Sequence, residues 1–516
     1  MSFYWNINSL KLQIYLEKYN IIQVLKAFSK DELKRFSLFL NSPFFNKSKK
    51  LIDLYNSLIV FYPDFNSKKL TEEKLFSKIS PGAVYKKATL LNLFSDLLSI
   101  AEKFMAIINF EKKNFEMNDM LREELINKNL KNLLKASLKK QELKNDILKV
   151  YNPEYFVNQA KLMADKVNYQ IVFVPKNNID EIAESVNNIT ERGAAISSFF
   201  AIEMIKTYTN LLVRKRTFTI EEDKNFIFSM FNSFDFEKFF ELVISGYSTK
   251  INPTIIKIYR ALYLTVSRFD EEKYYFEYKN LVFAEINKID TDEIRFHTIQ
   301  LLKYCMDRSD TNEEKRIFFD KERFKIFNLI LDNEYYKSSL NTYMPVELYR
   351  TILLLGLKLK KYTWTFDFIK KSRLKLSPDR RVNIYNYGCA KYYFSRGKYA
   401  DAMKSFHKVK YDHFMFKIDL KNMLIKTYYE LGLYENALSQ IDTYRHFLVK
   451  NKTLSVKEKR MNKNFIDTVQ KMIRFLLLDN RNGKFSIEYE LKKVFSEKEW
   501  VLEKFSQLDN KFKRSA

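Results

Sequence analysis

Apolar residues recur every three or four positions along most of the chain, which is the spacing of one face of an α-helix. Near the N-terminus, Ser29 and Glu32 are spaced as a capping box, in which each side chain can satisfy the backbone N–H of the other. Leu33 and Phe36 then begin an apolar face, and the helix should end before Pro43 because the residue preceding a proline avoids the helical region. Later prolines predict further boundaries at Pro63, Pro81, Pro153, Pro175 and Pro253. The pattern predicts helices joined by short polar connections.

One segment is open to two interpretations. Tyr169 to Val174 is rich in β-branched residues and is followed by Pro175. Such a run can be a short strand or the buried end of a helix before a loop. We favour the helix, because few other segments could pair with a strand.

A set of aromatic, small and glycine residues recurs after 35 positions in the C-terminal third. Its two copies are Tyr393, Gly397, Tyr399, Ala402 and Phe406, and then Tyr428, Gly432, Tyr434, Ala437 and Ile441. A fixed period of about 34 residues is typical of stacked helix–turn–helix units. The alanines let two antiparallel helices approach closely where they cross. Each glycine should lie at the turn between two helices, where it can take a left-handed conformation.

This pattern resembles the tetratricopeptide repeat. Cys389, Ala390 and Tyr393 match the first helix of that repeat, and Ala402 and Phe406 match its second helix. A less regular third copy lies upstream, where Tyr362 and Ile369 fit but Gly356 and Thr365 replace the expected residues. The resemblance implies an all-α fold, in which antiparallel helix pairs stack into an α-solenoid with a right-handed superhelix after an N-terminal helical module.

The resemblance also implies where a partner would bind. Tetratricopeptide stacks usually bind a peptide or helix of another protein along the concave surface lined by their first helices. Carried over by position, the groove residues are Tyr387, Lys391, Phe394, Asn422, Lys426 and Tyr429. Lys391 and Lys426 would lie one repeat apart, where both could meet a carboxylate. The alternative is that the tyrosines pack between repeats and the lysines form a solvated face.

The N-terminal part has a second, less specific resemblance. The run from Phe39 to Asn46, followed by Ser80-Pro81-Gly82, Tyr85 and the stretch from Leu93 to Phe104, is similar to the start of a group of uncharacterised bacterial helical proteins. No activity follows from that similarity. The patterns together predict an N-terminal helical module (1–110), a central helical-repeat region (111–345), tetratricopeptide-like repeats (346–475) and a C-terminal capping helix or tail (476–516).

Composition supports the helical interpretation. The chain has 516 residues but only 8 glycines and 8 prolines, against roughly 36 and 26 at average usage. Sheet folds need these residues at their many turns, and helices do not. The 46% of hydrophobic residues provides ample material for burial.

The formal net charge of +26 indicates an acidic partner, such as nucleic acid, anionic lipid or an acidic protein, unless the lysine excess reflects the codon usage of an AT-rich genome. Three stretches are especially basic: 128–149, 358–381 and 445–463. Within them, the candidate polyanion-binding residues are Lys131, Lys135, Lys139, Lys358, Lys360 and Lys361. Rows of lysine can neutralise phosphates, and they also form the solvated side of an amphipathic helix.

Motifs of catalysis and of cofactor binding are absent from the sequence. No two glycines lie close enough to cradle a phosphate, and no Cys-x-x-Cys or His-Glu-x-x-His pattern occurs. His407 and His413 are six residues apart, which is the wrong spacing for a shared metal on a helix. Cys305 and His297 could share a helix face, but a core pair is the simpler interpretation than a catalytic dyad. We therefore expect a binding protein without cofactor or metal, and the remaining alternative is an enzyme with a carboxylate site that leaves no local signature.

Targeting features point to the cytoplasm. The N-terminus lacks a basic segment followed by an apolar core, so we expect no secretory signal. No apolar run approaches the ~20 residues needed to cross a bilayer, so we expect no membrane insertion. Two lone cysteines, Cys305 and Cys389, fit a reducing compartment.

Overall fold

The computed structural model describes residues 16, 18–65, 67, 70–147, 152–175, 179–215, 220–246, 253–338, 342–410, 414–451, 454, 456–478 and 483–515. Within these residues the regular structure is α-helical apart from two short 3-10 helices, Glu222–Lys224 and Ile286–Lys288, and contains no strand. The chain forms two compact units: unit 1 is Met1–Asn145 with Lys161–Ile189, and unit 2 is Asp146–Ala160 with Thr190–Ala516. The boundaries predicted at 110, 345 and 475 stay predictions.

The helices of the first part of the chain are α1 (Asn20–Ala27), α2 (Lys30–Asn41), α3 (Lys49–Ile59), α4 (Glu72–Ile79), α5 (Lys87–Lys112), α6 (Asn114–Asn127), α7 (Lys131–Ile147), α8 (Pro153–Phe173) and α9 (Ile179–Lys215). They are followed by α10 (Phe226–Ser233), α11 (Phe236–Ser245), α12 (Thr254–Ser267), α13 (Glu272–Ala284), α14 (Thr291–Thr311), α15 (Arg316–Asp332), α16 (Val346–Lys358) and α17 (Tyr362–Ser372). The last helices are α18 (Arg381–Ser395), α19 (Tyr399–Phe406), α20 (Phe414–Glu430), α21 (Tyr434–Lys450), α22 (Val456–Leu478), α23 (Gly483–Leu491) and α24 (Lys498–Ser515).

Local sequence signals set several helix boundaries as predicted. Ser29 and Glu32 form the capping box in both directions, with Ser29 N–H donating to Glu32 Oε2 at 2.8 Å and Glu32 N–H donating to Ser29 Oγ at 3.2 Å. Helix α2 ends two residues before Pro43. Pro153 is the first residue of α8. A backbone N–H at that position would have no acceptor within the helix, so proline loses no hydrogen bond there.

The ambiguous segment before Pro175 is helical, because α8 continues to Phe173. Our preference for a helix is confirmed, but the expected burial is only partly right. Gln170 is buried, whereas Ile171 and Val172 are 70% and 51% exposed.

The described residues of unit 1 form two apolar clusters. The larger is formed by residues of α1 to α5 and of their connections, with Leu25, Phe36, Leu54, Leu97 and Phe104 near its centre. The smaller joins Leu125 of α6, Leu134 and Leu138 of α7, and Leu162 and Met163 of α8. Three helices therefore share the second cluster, and the lysines between the α7 leucines face solvent.

Unit 2 consists largely of neighbouring helix pairs: α12 with α13, α14 with α15, α16 with α17, α18 with α19, α20 with α21, and α22 with α23. Consecutive pairs also pack against each other. Ala390, Ala402 and Ala437 are fully buried. Gly397 and Gly432 have φ of +70°, and the N–H of the next residue donates back into the helix in both turns. The small residues and the turn glycines therefore have the roles that the repeat predicts.

The irregular third copy is also a helix pair, built by different residues. Gly356 of α16 and Thr365 of α17 are both buried at the place where these helices approach. A Cβ on Gly356 would lie 2.5 Å from Thr365 Oγ1. Gly388 of α18 is packed as closely, since its Cβ would lie 2.2 Å from Tyr349 Oη. Glycine thus permits the close approach that alanine permits in the two regular copies.

Candidate partner-binding site

The six residues predicted to line a groove come from α18 and α20, and the structure brings them into one cluster. Tyr387, Lys391, Asn422, Lys426 and Tyr429 are each less than 9% exposed, and Phe394 is partly buried. The assignment of these residues to a partner-binding groove stays a prediction. In the structure the chain's own carboxylates and aromatic rings cover them, and neither lysine lies on a solvated face.

Asp419 of α20 lies at the centre of this cluster. Its carboxylate accepts two hydrogen bonds from the Arg350 guanidinium, with Nη2 at 2.8 Å from Oδ1, and one from Tyr387 Oη at 2.6 Å. Burial alone would raise the pKa of Asp419, but Lys391, Arg350 and Tyr387 lower it to about 2. Asp419 therefore carries a negative charge at neutral pH and links α16, α18 and α20.

Lys391 is buried among charged neighbours. Its ammonium lies 5.8 Å from the centre of the Tyr387 ring. Burial lowers the pKa of Lys391, while Asp419 and Glu497 act in the opposite direction. The predicted groove lysine therefore balances internal carboxylates.

Lys426 makes the direct contact with Glu497, which precedes α24. The two charged groups are 2.6 Å apart, and Lys426 Nζ also lies 4.9 Å from the centre of the Phe394 ring and 5.9 Å from that of Trp500. Burial would raise the pKa of Glu497, but Lys426 and Lys391 outweigh it and lower the pKa. Lys426 is held by a carboxylate and two rings at once, which combines an ion pair with cation–π attraction.

The first two turns of α24, which follow Glu497, also contact α20. Trp500 packs on the Tyr429 ring, with ring centres 5.3 Å apart, and its indole N–H donates to Glu430 Oε1 at 2.7 Å. Lys504, one turn later, pairs with the same Glu430 oxygen at 2.9 Å. We call residues 494–504, which carry Glu497, Trp500 and Lys504, the docking segment.

A polar cavity of about 240 Å³ lies beside this contact, lined by Arg350, Ile418, Asp419, Asn422, Glu458, Met461, Asn462, Ser496 and Glu497. The orientation of its amides is fixed by their hydrogen bonds. Asn462 Nδ2 donates to the Glu458 carbonyl, and its Oδ1 accepts from Asn422 Nδ2 and from Ser496 Oγ. Asn422 Oδ1 is then left buried without a hydrogen-bond donor among the described residues.

Sequence reasoning missed Arg350, Asp419, Glu497 and Trp500. Arg350 and Asp419 are 69 residues apart, and Lys426 and Glu497 are 71 apart, so no local spacing connects them. One signal was present. Asp419 lies between Ile418 and Leu420, two apolar neighbours in a predicted helix, and a carboxylate buried beside them needs a cation nearby.

The candidate polyanion-binding lysines are exposed but fall in two different units. Lys131, Lys135 and Lys139 lie on α7 of unit 1, where the Lys131 ammonium donates to the Phe173 carbonyl. Lys358 pairs with Asp320 at 2.7 Å, and Lys360 takes the left-handed position of the turn between α16 and α17. Lys361 is exposed at the start of α17. Two of the three lysines between α16 and α17 thus have structural roles.

Cys305 and His297 have separate partners. Cys305 Sγ lies 3.0 Å from Tyr275 Oη, and burial raises the pKa of this thiol to about 12. His297 Nδ1 lies 2.7 Å from Tyr278 Oη, and burial, helped by the charge of Lys206, lowers the pKa of His297 to about 3. A protonated thiol and a neutral imidazole without a shared contact do not form a nucleophile–base pair.

In the part of the chain that the structure describes, no group of three or more His, Cys, Asp or Glu residues could hold a metal ion. His413 lies outside those residues. None of the described helices has the length and apolar character needed to span a membrane. No protein-family model and no curated protein matches this chain.

Proposed function

We propose that this protein is a non-catalytic interaction scaffold, in which tetratricopeptide-like helix pairs stack as an α-solenoid and bind a peptide or helix of another protein. The observation that carries the proposal is the contact between Lys426 and Glu497 at 2.6 Å. Lys426 is a position at which the resemblance to the tetratricopeptide repeat predicts contact with a partner. The side chains of α18 and α20 thus have the chemistry to hold a carboxylate.

The regular turns and crossings support the scaffold part of this proposal. Gly397 and Gly432 have the same backbone conformation 35 residues apart, and a fully buried alanine follows each of them by five residues. Units with the same internal geometry stack with a constant rotation, which produces an extended binding surface.

The test is a binding measurement with matched variants. Full-length protein is used to isolate partners from the cell it comes from, and each partner is then purified and titrated against the variants by calorimetry. Lys426→Met combined with Glu497→Gln removes both charges of the pair, so that no uncompensated charge stays behind. Lys404→Met, an exposed lysine of α19, is the control.

We expect the control to bind like the wild type and the double variant to lose at least tenfold in affinity. Equal affinity of all three proteins would reject this surface as the binding site. A mobility shift with duplex DNA at low salt, abolished by changing Lys131, Lys135 and Lys139 to Gln, would instead favour nucleic acid as the partner.

A further inference from the structure

The docking segment contacts the residues that the repeat pattern assigns to an outside partner. Glu497 contacts Lys426, and Trp500 contacts Tyr429. On the proposed function, a bound partner would need the same two places. The chain and the partner cannot occupy them together.

We propose that residues 494–504 are an internal ligand of this surface, and that the outside partner presents the same chemistry. That partner would carry a carboxylate at the start of a helix and an aromatic side chain three residues later. This inference rests on the proposed function and names the kind of segment that the scaffold recognises.

Glu497 and Trp500 of the docking segment are recognised together, because both contact Lys426. The Lys426 ammonium faces the Glu497 carboxylate and lies near the Trp500 ring as well as that of Phe394. An aromatic ring in the segment therefore adds a cation–π attraction to the same ammonium that binds the carboxylate. The Glu430 carboxylate then fixes the indole through its N–H at 2.7 Å.

Two features make the internal ligand imperfect. Glu497 has a φ of +59°, a left-handed conformation that a non-glycine residue adopts only under strain. Beside it, Asn422 Oδ1 lines a cavity and accepts no hydrogen bond from any residue that the structure describes. An outside segment with a relaxed backbone at the carboxylate, and a hydrogen-bond donor facing Asn422, would bind the same surface better.

One face of the docking segment is buried against α20 and α22, and the other face is exposed. Trp500, Val501 and Lys504 are buried, whereas Glu499 and Leu502 are exposed. Helix α20, by contrast, is buried continuously from Asn422 to Thr427. Releasing the segment therefore breaks one face of contacts and leaves the repeat helices packed.

The test measures binding of a fluorescently labelled peptide with the sequence of residues 494–510 to the full-length protein by anisotropy. Trp500→Ala opens the surface by removing the indole. Leu502→Ala is the matched control, on the same helix but 42% exposed. We expect Trp500→Ala to bind the peptide at least tenfold more tightly than the wild type and the control. Changing Glu497 to Gln in the peptide should weaken its binding to the Trp500→Ala protein at least tenfold.

Hydrogen exchange establishes that the variants open as intended. Amides of α24 should exchange faster in Trp500→Ala, while those of α20 stay protected. If α20 also loses protection, Lys504→Met replaces Trp500→Ala, because it breaks the pair with Glu430 and keeps an apolar side chain. If α24 opens in the variant but the peptide binds no more tightly, the proposal that residues 494–504 are an internal ligand is wrong.

The two proposals fail separately. A cellular partner that needs Lys426, but does not compete with the peptide, contradicts the internal ligand and leaves the scaffold function standing. A peptide that binds the opened protein, with no cellular partner sensitive to the Lys426 and Glu497 changes, counts against the scaffold function alone.

Discussion

Lys360 and Gly397 occupy equivalent positions in successive turns of the repeat region. Lys360 N–H donates to Leu357 O and Gly397 N–H to Phe394 O, and the next residue in each turn donates five residues back, to Gly356 O and to Tyr393 O. Both residues are left-handed, with φ of +55° and +70°. The same backbone turn thus closes the irregular pair and the regular one, although only the second has the expected glycine.

Replacing Lys360 by glycine should stabilise the protein. A left-handed lysine is strained by about 1 kcal/mol relative to glycine, and the side chain is exposed, so little packing is lost. We expect the free energy of unfolding to rise by about 0.5–1 kcal/mol in urea titrations followed by tryptophan fluorescence. Gly397→Ala, the reverse change at the equivalent position, should lower it by about the same amount. A destabilised Lys360→Gly variant would contradict the equivalence.

A second prediction concerns Gly388 and Tyr349. An alanine at position 388 would put its Cβ 2.2 Å from Tyr349 Oη, so Gly388→Ala should destabilise unit 2 by about 1–3 kcal/mol. Tyr349 Oη is buried and has no hydrogen-bond partner among the described residues, so Tyr349→Phe alone should be neutral or stabilising.

The double variant should recover most of the loss, because it removes the atom that the new methyl group meets. Urea titrations of the four proteins give the coupling between the two positions. Gly193→Ala is the control, since a Cβ there has nothing within 4 Å, and it should stabilise the helix slightly. Additive effects of Gly388→Ala and Tyr349→Phe would show that the hydroxyl is not the obstacle.

Arg122 of unit 1 forms buried ion pairs with two aspartates. Its side chain is fully buried and contacts Asp165 at 2.5 Å and Asp119 at 3.3 Å. Removing one partner of such a pair leaves an uncompensated charge, so Arg122→Met should cost about 3 kcal/mol. Adding Asp165→Asn should return part of this loss. The exposed pair of Arg35 and Glu111 is the comparison, and Arg35→Met should cost less than about 1 kcal/mol.

The changes in stability are measured by urea unfolding and by hydrogen exchange of the amides in α6 to α8. A loss for Arg122→Met no larger than that for Arg35→Met would mean that the Arg122 pair is screened by solvent, contrary to its burial.

Acidification should destabilise unit 2 through His297. Burial lowers its pKa to about 3 in the folded state, against about 6.5 when unfolded. The unfolded chain therefore takes up the proton first, and the stability present above pH 6.5 is lost as pH falls from there toward 3. The loss approaches about 1.4 kcal/mol per pH unit below 6.

The measurement compares urea unfolding of the wild type and of His297→Phe at pH 7.5, 6 and 5. The variant should be less stable at pH 7.5, because Tyr278 loses its partner, but its stability should fall less with pH. His446→Asn, at an exposed position, should keep the wild-type slope. Parallel curves for the wild type and His297→Phe would exclude the buried neutral imidazole.

The sequence predicts what depends on neighbouring residues and misses what depends on distant ones. Gly397 and Ala402 could be assigned because a turn and a helix crossing leave a fixed local spacing. Lys426 could be selected by the repeat, but its burial could not, because Glu497 and Trp500 come from a segment some 70 residues away. Gly356 looked like a defect in the pattern, yet it fills the role of the small residue through its contact with Thr365.

Helix α20 belongs to two apolar clusters. Leu420, Met423 and Leu424 are part of the cluster that begins at Phe156, whereas Ile425 and Tyr429 are part of the one that ends at Leu508. Losing this helix would expose apolar surface on both sides, so α19 and α21, which pack directly against it, are expected to melt with it as a single cooperative foldon. A substitution deep in α20 should therefore lower the opening free energy of amides on both sides of it alike.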